Sequence, residues 1–145
     1  MIRKAEVKDL SRIGEILVFV KRIKFRPIFK DDDFSFNGLQ VLKVAKEYEN
    51  YLDDIYVYDD GIVKGLIHIE GEEVKELYVD HFFQDQGIGS KLIEFAIKEF
   101  DVKWLWALEK NPEAIRFYER HGFKISDERK LEEDTPEYLV KLKRQ

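Results

Sequence analysis

The run Gln84-Asp85-Gln86-Gly87-Ile88-Gly89-Ser90 holds the residue types and spacing best suited to chemistry. It follows an extended stretch, residues 74–79, and opens a helical one, residues 88–100. A turn from strand to helix leaves several backbone N–H groups free and aimed one way, and the helix dipole adds positive potential there. Such a turn can seat a phosphate or pyrophosphate, and glycines keep side chains from blocking the approach. Taken alone, the pattern also fits an ordinary strand-to-helix turn. Two better-known glycine motifs are excluded. No Gly-x-x-x-x-Gly-Lys followed by Ser or Thr occurs, and Leu92 stands where a dinucleotide fingerprint needs a small residue.

The elements that must position this turn follow from hydrophobic period. Leu10, Ile13, Ile16, Leu17 and Val20 recur at helical spacing, so residues 8–22 read as an amphipathic helix behind a short edge strand at residues 2–5. Gly14 inside that helix costs roughly 1 kcal/mol relative to Ala. Residues 22–38 break the period and carry Phe25, Phe29, Phe34, Phe36 and the triplet Asp31-Asp32-Asp33. This is either a functional loop or a helix-to-helix connection lying over the core, with the aspartates as a solvated turn or a wall attracting an amine. Residues 39–52 read as helix.

From residue 54 the period becomes two, and Asp59-Asp60-Gly61 and Gly71-Glu72 mark turns, which gives three consecutive antiparallel strands. The helix at residues 88–100 has a wide apolar face suited to a sheet. Residues 104–108 are short and apolar, hence a buried strand. Asn111-Pro112 caps and starts the next helix, and Gly122 stops it as its C′ residue. Residues 123–126 and 138–142 read as closing strands, with residues 127–136 an exposed charged excursion. The order predicts an α/β (α+β) fold, a mixed sheet covered on both faces.

At 145 residues the chain suits one domain. A net charge of −5 argues against a nucleic-acid or anionic-membrane surface. With no cysteine there is no disulfide, no thiol nucleophile and no thiolate metal site. The three histidines, His68, His81 and His121, have no metal-ligand spacing and read as packing or surface residues. No signal peptide and no apolar run of the ~20 residues a membrane span needs is visible, so the cytoplasm is the expected location.

Two stretches together resemble the GCN5-related N-acetyltransferases. Gln84-x-x-Gly87-x-Gly89, preceded by Glu76-Leu77-Tyr78-Val79, is similar to the family's acetyl-CoA signature. Asn111-Pro112-x-Ala114-x-x-Phe117-Tyr118-x-x-x-Gly122-Phe123 is similar to its second conserved block. The family often has Gly at the position of Asp85 and a basic residue at that of Gln86, and a common Pro is missing after the strand.

The resemblance implies a mostly antiparallel sheet of about six to seven strands and about four helices, with the strand ending at Val79 splayed from its neighbour. The pantetheine arm of acetyl-CoA would enter that gap, pairing with backbone freed at Leu77, Tyr78 and Val79. Gln84 and Asp85 would belong to the cofactor site, and the pyrophosphate would sit on the N–H groups of Gln86, Gly87, Ile88, Gly89 and Ser90, with Lys91 assisting or merely solvated. Asn111 would contact the arm as well as cap its helix. Tyr118 would serve the departing thiolate, and Glu76 would take the amine's proton directly or through water, with Asp80, Glu109 and Tyr138 as other bases. The resemblance thus implies direct acetyl transfer to a primary amine by a monomer or homodimer without metal. An acyl-CoA sensor without turnover is the alternative.

Overall fold

A computed structural model describes residues Met1–Gln145. Seven strands form one sheet in the order β1-β2-β3-β4-β5-β7-β6. They are β1 (Ile2–Lys4), β2 (Ile55–Asp59), β3 (Val63–Glu70), β4 (Glu73–Val79), β5 (Trp104–Leu108), β6 (Phe123–Leu131) and β7 (Tyr138–Arg144). Every neighbouring pair is antiparallel except β4 with β5. The helices are α1 (Leu10–Lys24), the single turn α2 (Arg26–Phe29), α3 (Val41–Tyr48), α4 (Ile88–Phe100) and α5 (Pro112–Glu119). The mixed sheet, the helices on both faces and the opening near Val79 agree with expectation.

Each face has its own core. Ile13, Ile16, Leu17 and Val20 of α1, with Val44 and Tyr48 of α3, pack on Ile55, Val57 and Leu66. On the other face Leu92, Ile93 and Ala96 of α4 pack on Ile67, Ile69, Val74, Leu105 and Phe123. Each fully buried aliphatic side chain contributes about 1.5–3 kcal/mol. Gly14 has a packing reason that outweighs its helix propensity: a Cβ there would stand 2.8 Å from the carbonyl oxygen of Val41, so its absence lets α1 and α3 touch.

Three expectations need correction. Residues 39–52 are not one helix. After Tyr48 the chain tightens into a 3₁₀ segment, Glu49–Asp54, that turns into β2. Residues 127–131 are not an excursion but the second half of β6, past a register shift between Ile125 and Arg129. The strand was hidden because β6 is a charged edge whose side chains are mostly exposed, so no period-two apolar signal exists. Gly122 lies one place beyond C′, since the C-cap of α5 is Arg120.

The connection at residues 25–40 reaches the core through Leu39, while its aromatics Phe25, Phe29 and Phe34 line the cleft described next. Its Phe25, Phe29 and Phe34 meet edge to face, with ring centres 6.0 and 5.9 Å apart. Arg22 fixes it by donating from Nε to Ser35 O (3.0 Å) and from Nη2 to Leu39 O (2.9 Å). Asp32 pairs with Arg26 and Asp33 accepts from Asn37, so only Asp31 of the triplet reaches the cleft described next.

Candidate active site

β4 and β5 pair only at their start, Glu73 with Trp104 and Val74 with Leu105. Beyond Val74 they part, because β4 continues along β3 while β5 follows β7. A bulge coincides with the parting. Ile69 faces Val74 and His68 faces Glu76, which leaves Lys75 as the extra residue. The gap opens into a cleft of about 800 Å³. Its lining runs from the glycine turn, past β4 and α5, to the tip of α1 and the β6–β7 turn.

At one end lies the turn before α4. Gly87 is the N-cap with φ 78°, a left-handed backbone that glycine adopts without strain, and no side chain caps the helix. Asp85 is also left-handed, at φ 63°, and is exposed. The first amide of the turn and helix with a backbone acceptor is Lys91, which donates to Gly87 O at 3.1 Å. The amides of Ile88, Gly89 and Ser90 are thus free at the positive end of a 13-residue helix. The Gln84 side chain donates to Val79 O (2.8 Å), tying the turn to the end of β4. Ile88 is buried in the core, and Gly89 lies against the Phe117 ring. Ser90 Oγ lies 3.1 Å from His121 Nε2, whose ring packs 4.9 Å from that of Phe117. Gln86 is exposed and outside the lining, and Lys91 reaches Tyr58 instead of the turn.

Midway, α5 presents Asn111 and Tyr118 to the cleft. Asn111 Oδ1 accepts from the amide of Ala114 (3.3 Å) and starts the helix. Tyr118 packs edge to face on Phe117 and Phe123. Burial alone pushes its phenol well above the usual tyrosine range, so the hydroxyl stays protonated at working pH. Leu77, Tyr78 and Val79 line the wall opposite.

At the far end Glu76 is a half-buried carboxylate with several partners. Tyr48 donates to Oε1, Tyr78 donates to Oε2 at 3.0 Å, and Lys21 Nζ stands 3.6 Å from Oε2. Burial works to raise its pKa. The imidazole of His68, the charge of Lys21 and the two phenols outweigh burial and hold it at about 2. The same pairing and burial push both phenols up. Lys21 and Tyr48 had no local signal in the sequence, since they reach Glu76 from two helices far away in the chain. Phe25, Phe29, Phe34, Asp31, Glu132, Glu133 and Asp134 complete this end.

The other acids proposed from sequence lie elsewhere. Asp80 caps the turn after β4 by accepting from Phe82 N and pairs with Arg12 at 2.7 Å. Glu109 is held by Arg129 at 2.7 and 2.9 Å, and Arg129 lies over the ring of Tyr138. Neither Glu109 nor Tyr138 lines the cleft. His81 is exposed, whereas His68 is buried beside Glu76.

The sheet opens beside a free helix N-terminus, and comparison with known proteins places the fold in a family. Residues 52–125, just over half of the chain, match the model of the acetyltransferase (GNAT) domain, and the chain belongs to that family. It is 28% identical over 117 residues, 78% of each chain, to the peptidyl-lysine N-acetyltransferase YjaB of Salmonella typhimurium. The apo structure of YjaB from Escherichia coli superposes with a TM-score of 0.75 at 19% identity, covering 99% of this chain and 95% of that one. The PaiA N-acetyltransferase of Thermoplasma acidophilum, solved with coenzyme A, superposes with a TM-score of 0.68 at 20% identity, covering 99% and 98%. No helix is long and apolar enough to cross a membrane.

Proposed function

We propose that this acetyltransferase moves an acetyl group from acetyl-CoA to a primary amine, with both bound in the one cleft. The observation that carries the reading is the gap between β4 and β5, with free amides at one end and the Glu76 carboxylate at the other. Acetyl-CoA supplies the activated acyl group as a thioester. Its pyrophosphate would rest on the amides from Gln84 to Ser90, chiefly those of Ile88, Gly89 and Ser90. Its arm would lie along Leu77, Tyr78 and Val79 and beside Asn111, adding a strand where β5 has departed. The unpaired backbone of β4 is also suited to polarising the thioester carbonyl.

The acceptor would approach from the end lined by Asp31, Glu132, Glu133 and Asp134, whose carboxylates favour a cation. An alkylamine is protonated in water, with a reference pKa of about 10.4, and must lose a proton to attack. Glu76, an anion throughout the working pH range, orients the ammonium and takes that proton first. The Tyr118 hydroxyl donates a hydrogen bond to the departing thiolate. Its raised pKa favours this role over full proton transfer. A lysine side chain is the first acceptor to try, since the relative from Salmonella typhimurium is named for one.

The test is release of free thiol from acetyl-CoA with Nα-acetyl-lysine amide, a peptide with a free N-terminus, and spermidine. We expect turnover with at least one of them. Binding of acetyl-CoA with no thiol release across the panel would overturn the reading and favour a sensor.

A further inference from the structure

We propose that Lys21 is an acceptor in its own right, acetylated in place by acetyl-CoA bound to the same chain. This rests on the reading of the cleft given above. An acceptor site should stand clear for an amine from outside, yet a primary amine is already there. Lys21 Nζ stands 3.6 Å from Glu76 Oε2 and 6.0 Å from the centre of the Tyr78 ring. Glu76 and Tyr78 flank Leu77, where the arm of acetyl-CoA would begin to run along β4. The other lysines of the cleft are engaged elsewhere. Lys24 pairs with Glu113 of α5 at 3.5 Å, and Lys75 with Glu73 at 3.6 Å. Lys21 is the one amine set against the carboxylate that would take an acceptor's proton.

The pair is not locked. At 3.6 Å it is longer than a hydrogen bond, and both side chains still meet solvent, at 21 and 18% exposure. Charge alone holds the ammonium, so its flexible four-carbon stem can carry it toward a neighbouring thioester.

The direction of approach also fits. The arm of acetyl-CoA would take the place that β5 leaves at the edge of β4. A carbonyl that accepts from β4 in that position lies in the sheet, with its two faces turned toward the helix layers. A nucleophile attacks such a face and not the edge. Glu76 and Tyr78 look toward α1, and Lys21 comes from α1, so its nitrogen stands on the side from which attack is open.

The step balances. The ammonium gives one proton to Glu76, which passes it to solvent. The freed lone pair forms a C–N bond to the thioester carbon, and the C–S bond breaks. The second amine proton leaves with the sulfur, yielding the free thiol of coenzyme A and Lys21 acetylated at Nζ. The product amide is uncharged and would fill the acceptor's place beside Glu76. An outside amine and Lys21 therefore compete for the same carboxylate and the same acetyl group.

Incubation of the unaltered protein with acetyl-CoA and no other amine, followed by digestion and mass spectrometry, tests this. One acetyl group should appear on Lys21 about tenfold or more faster than on the exposed Lys8 and Lys110, which report chemical acetylation in solution. Its rate constant should not change with protein concentration, as transfer within one chain requires. The fastest amine of the panel should slow it, and Glu76→Gln should slow it about tenfold or more. An unmodified Lys21 in a protein that turns over the panel overturns the proposal and leaves the acetyltransferase reading standing. Neither modification nor turnover removes both. A Lys21 rate that matches Lys8 and Lys110, rises with protein concentration or is unchanged in Glu76→Gln means solution chemistry or transfer between chains, and overturns the proposal as well.

Discussion

The two ends of the cleft are built by opposite means. The turn at residues 84–90 is local: contiguous backbone, a left-handed Gly87 and a helix terminus present amides that no side chain competes for. The Glu76 end is assembled from α1, α3, β3 and β4, through Lys21, Tyr48, His68 and Tyr78. The first suits a group common to every reaction of the class, since an amide cradle recognises phosphate whatever is attached to it. The second can change with any of four distant elements, which suits the partner that varies.

This contrast can be broken or sharpened by mutation. The largest effect is expected from Glu76→Gln, which should lower kcat at least a hundredfold and leave coenzyme A binding by calorimetry unchanged. A parallel loss of affinity would mean the two ends are not separable. Tyr118→Phe, at the midpoint, should lower kcat at least tenfold, about 1.4 kcal/mol of barrier, without shifting the melting temperature by more than a degree or two. Gly14→Ala, by pushing α1 from α3, should destabilise by about 1–3 kcal/mol in denaturant titration despite its better helix propensity. It should raise KM for the amine more than Kd for coenzyme A, because those helices carry Lys21 and Tyr48.

The smallest effect concerns Asp85, whose exposed carboxylate borders the anion cradle. Asp85→Asn keeps a residue tolerant of left-handed backbone and should tighten coenzyme A about two- to threefold at low salt, the gain fading as salt rises. Acid provides a further check on the other end. The Glu76 pKa falls from 4.5 to about 2 on folding, so its stabilising contribution is complete above 4.5 and is lost as pH drops toward 2. Titration of stability against pH should show that component in the wild type and lack it in Glu76→Gln.

The same contrast explains what the sequence could disclose. The helix over residues 88–100 and the strand over residues 104–108 were legible to the residue, since apolar period and caps are local. So was the glycine turn. The second half of β6 was not, because a charged edge strand is held by its ladder to β7 and not by an apolar face. The partners of Glu76 were not legible either. Tyr48 scanned only as one apolar position of a helix, and His68 as a packed strand residue, which describes its burial but not its neighbour.

The bulge at Lys75 has one more consequence. In an unbroken strand, positions two apart look the same way, yet Val74 sits in the layer under α4 while Glu76 and Tyr78 look toward α1 and α3. The odd residue therefore acts as a half-twist in the strand's parity. Loss of that one residue would set Val74 next to Glu76 in an even ladder, with every side chain on the face it already has, and would remove the kink at which β4 leaves β5. Point changes at Lys75 should pass almost unnoticed, while its deletion should leave a folded protein that binds coenzyme A more weakly.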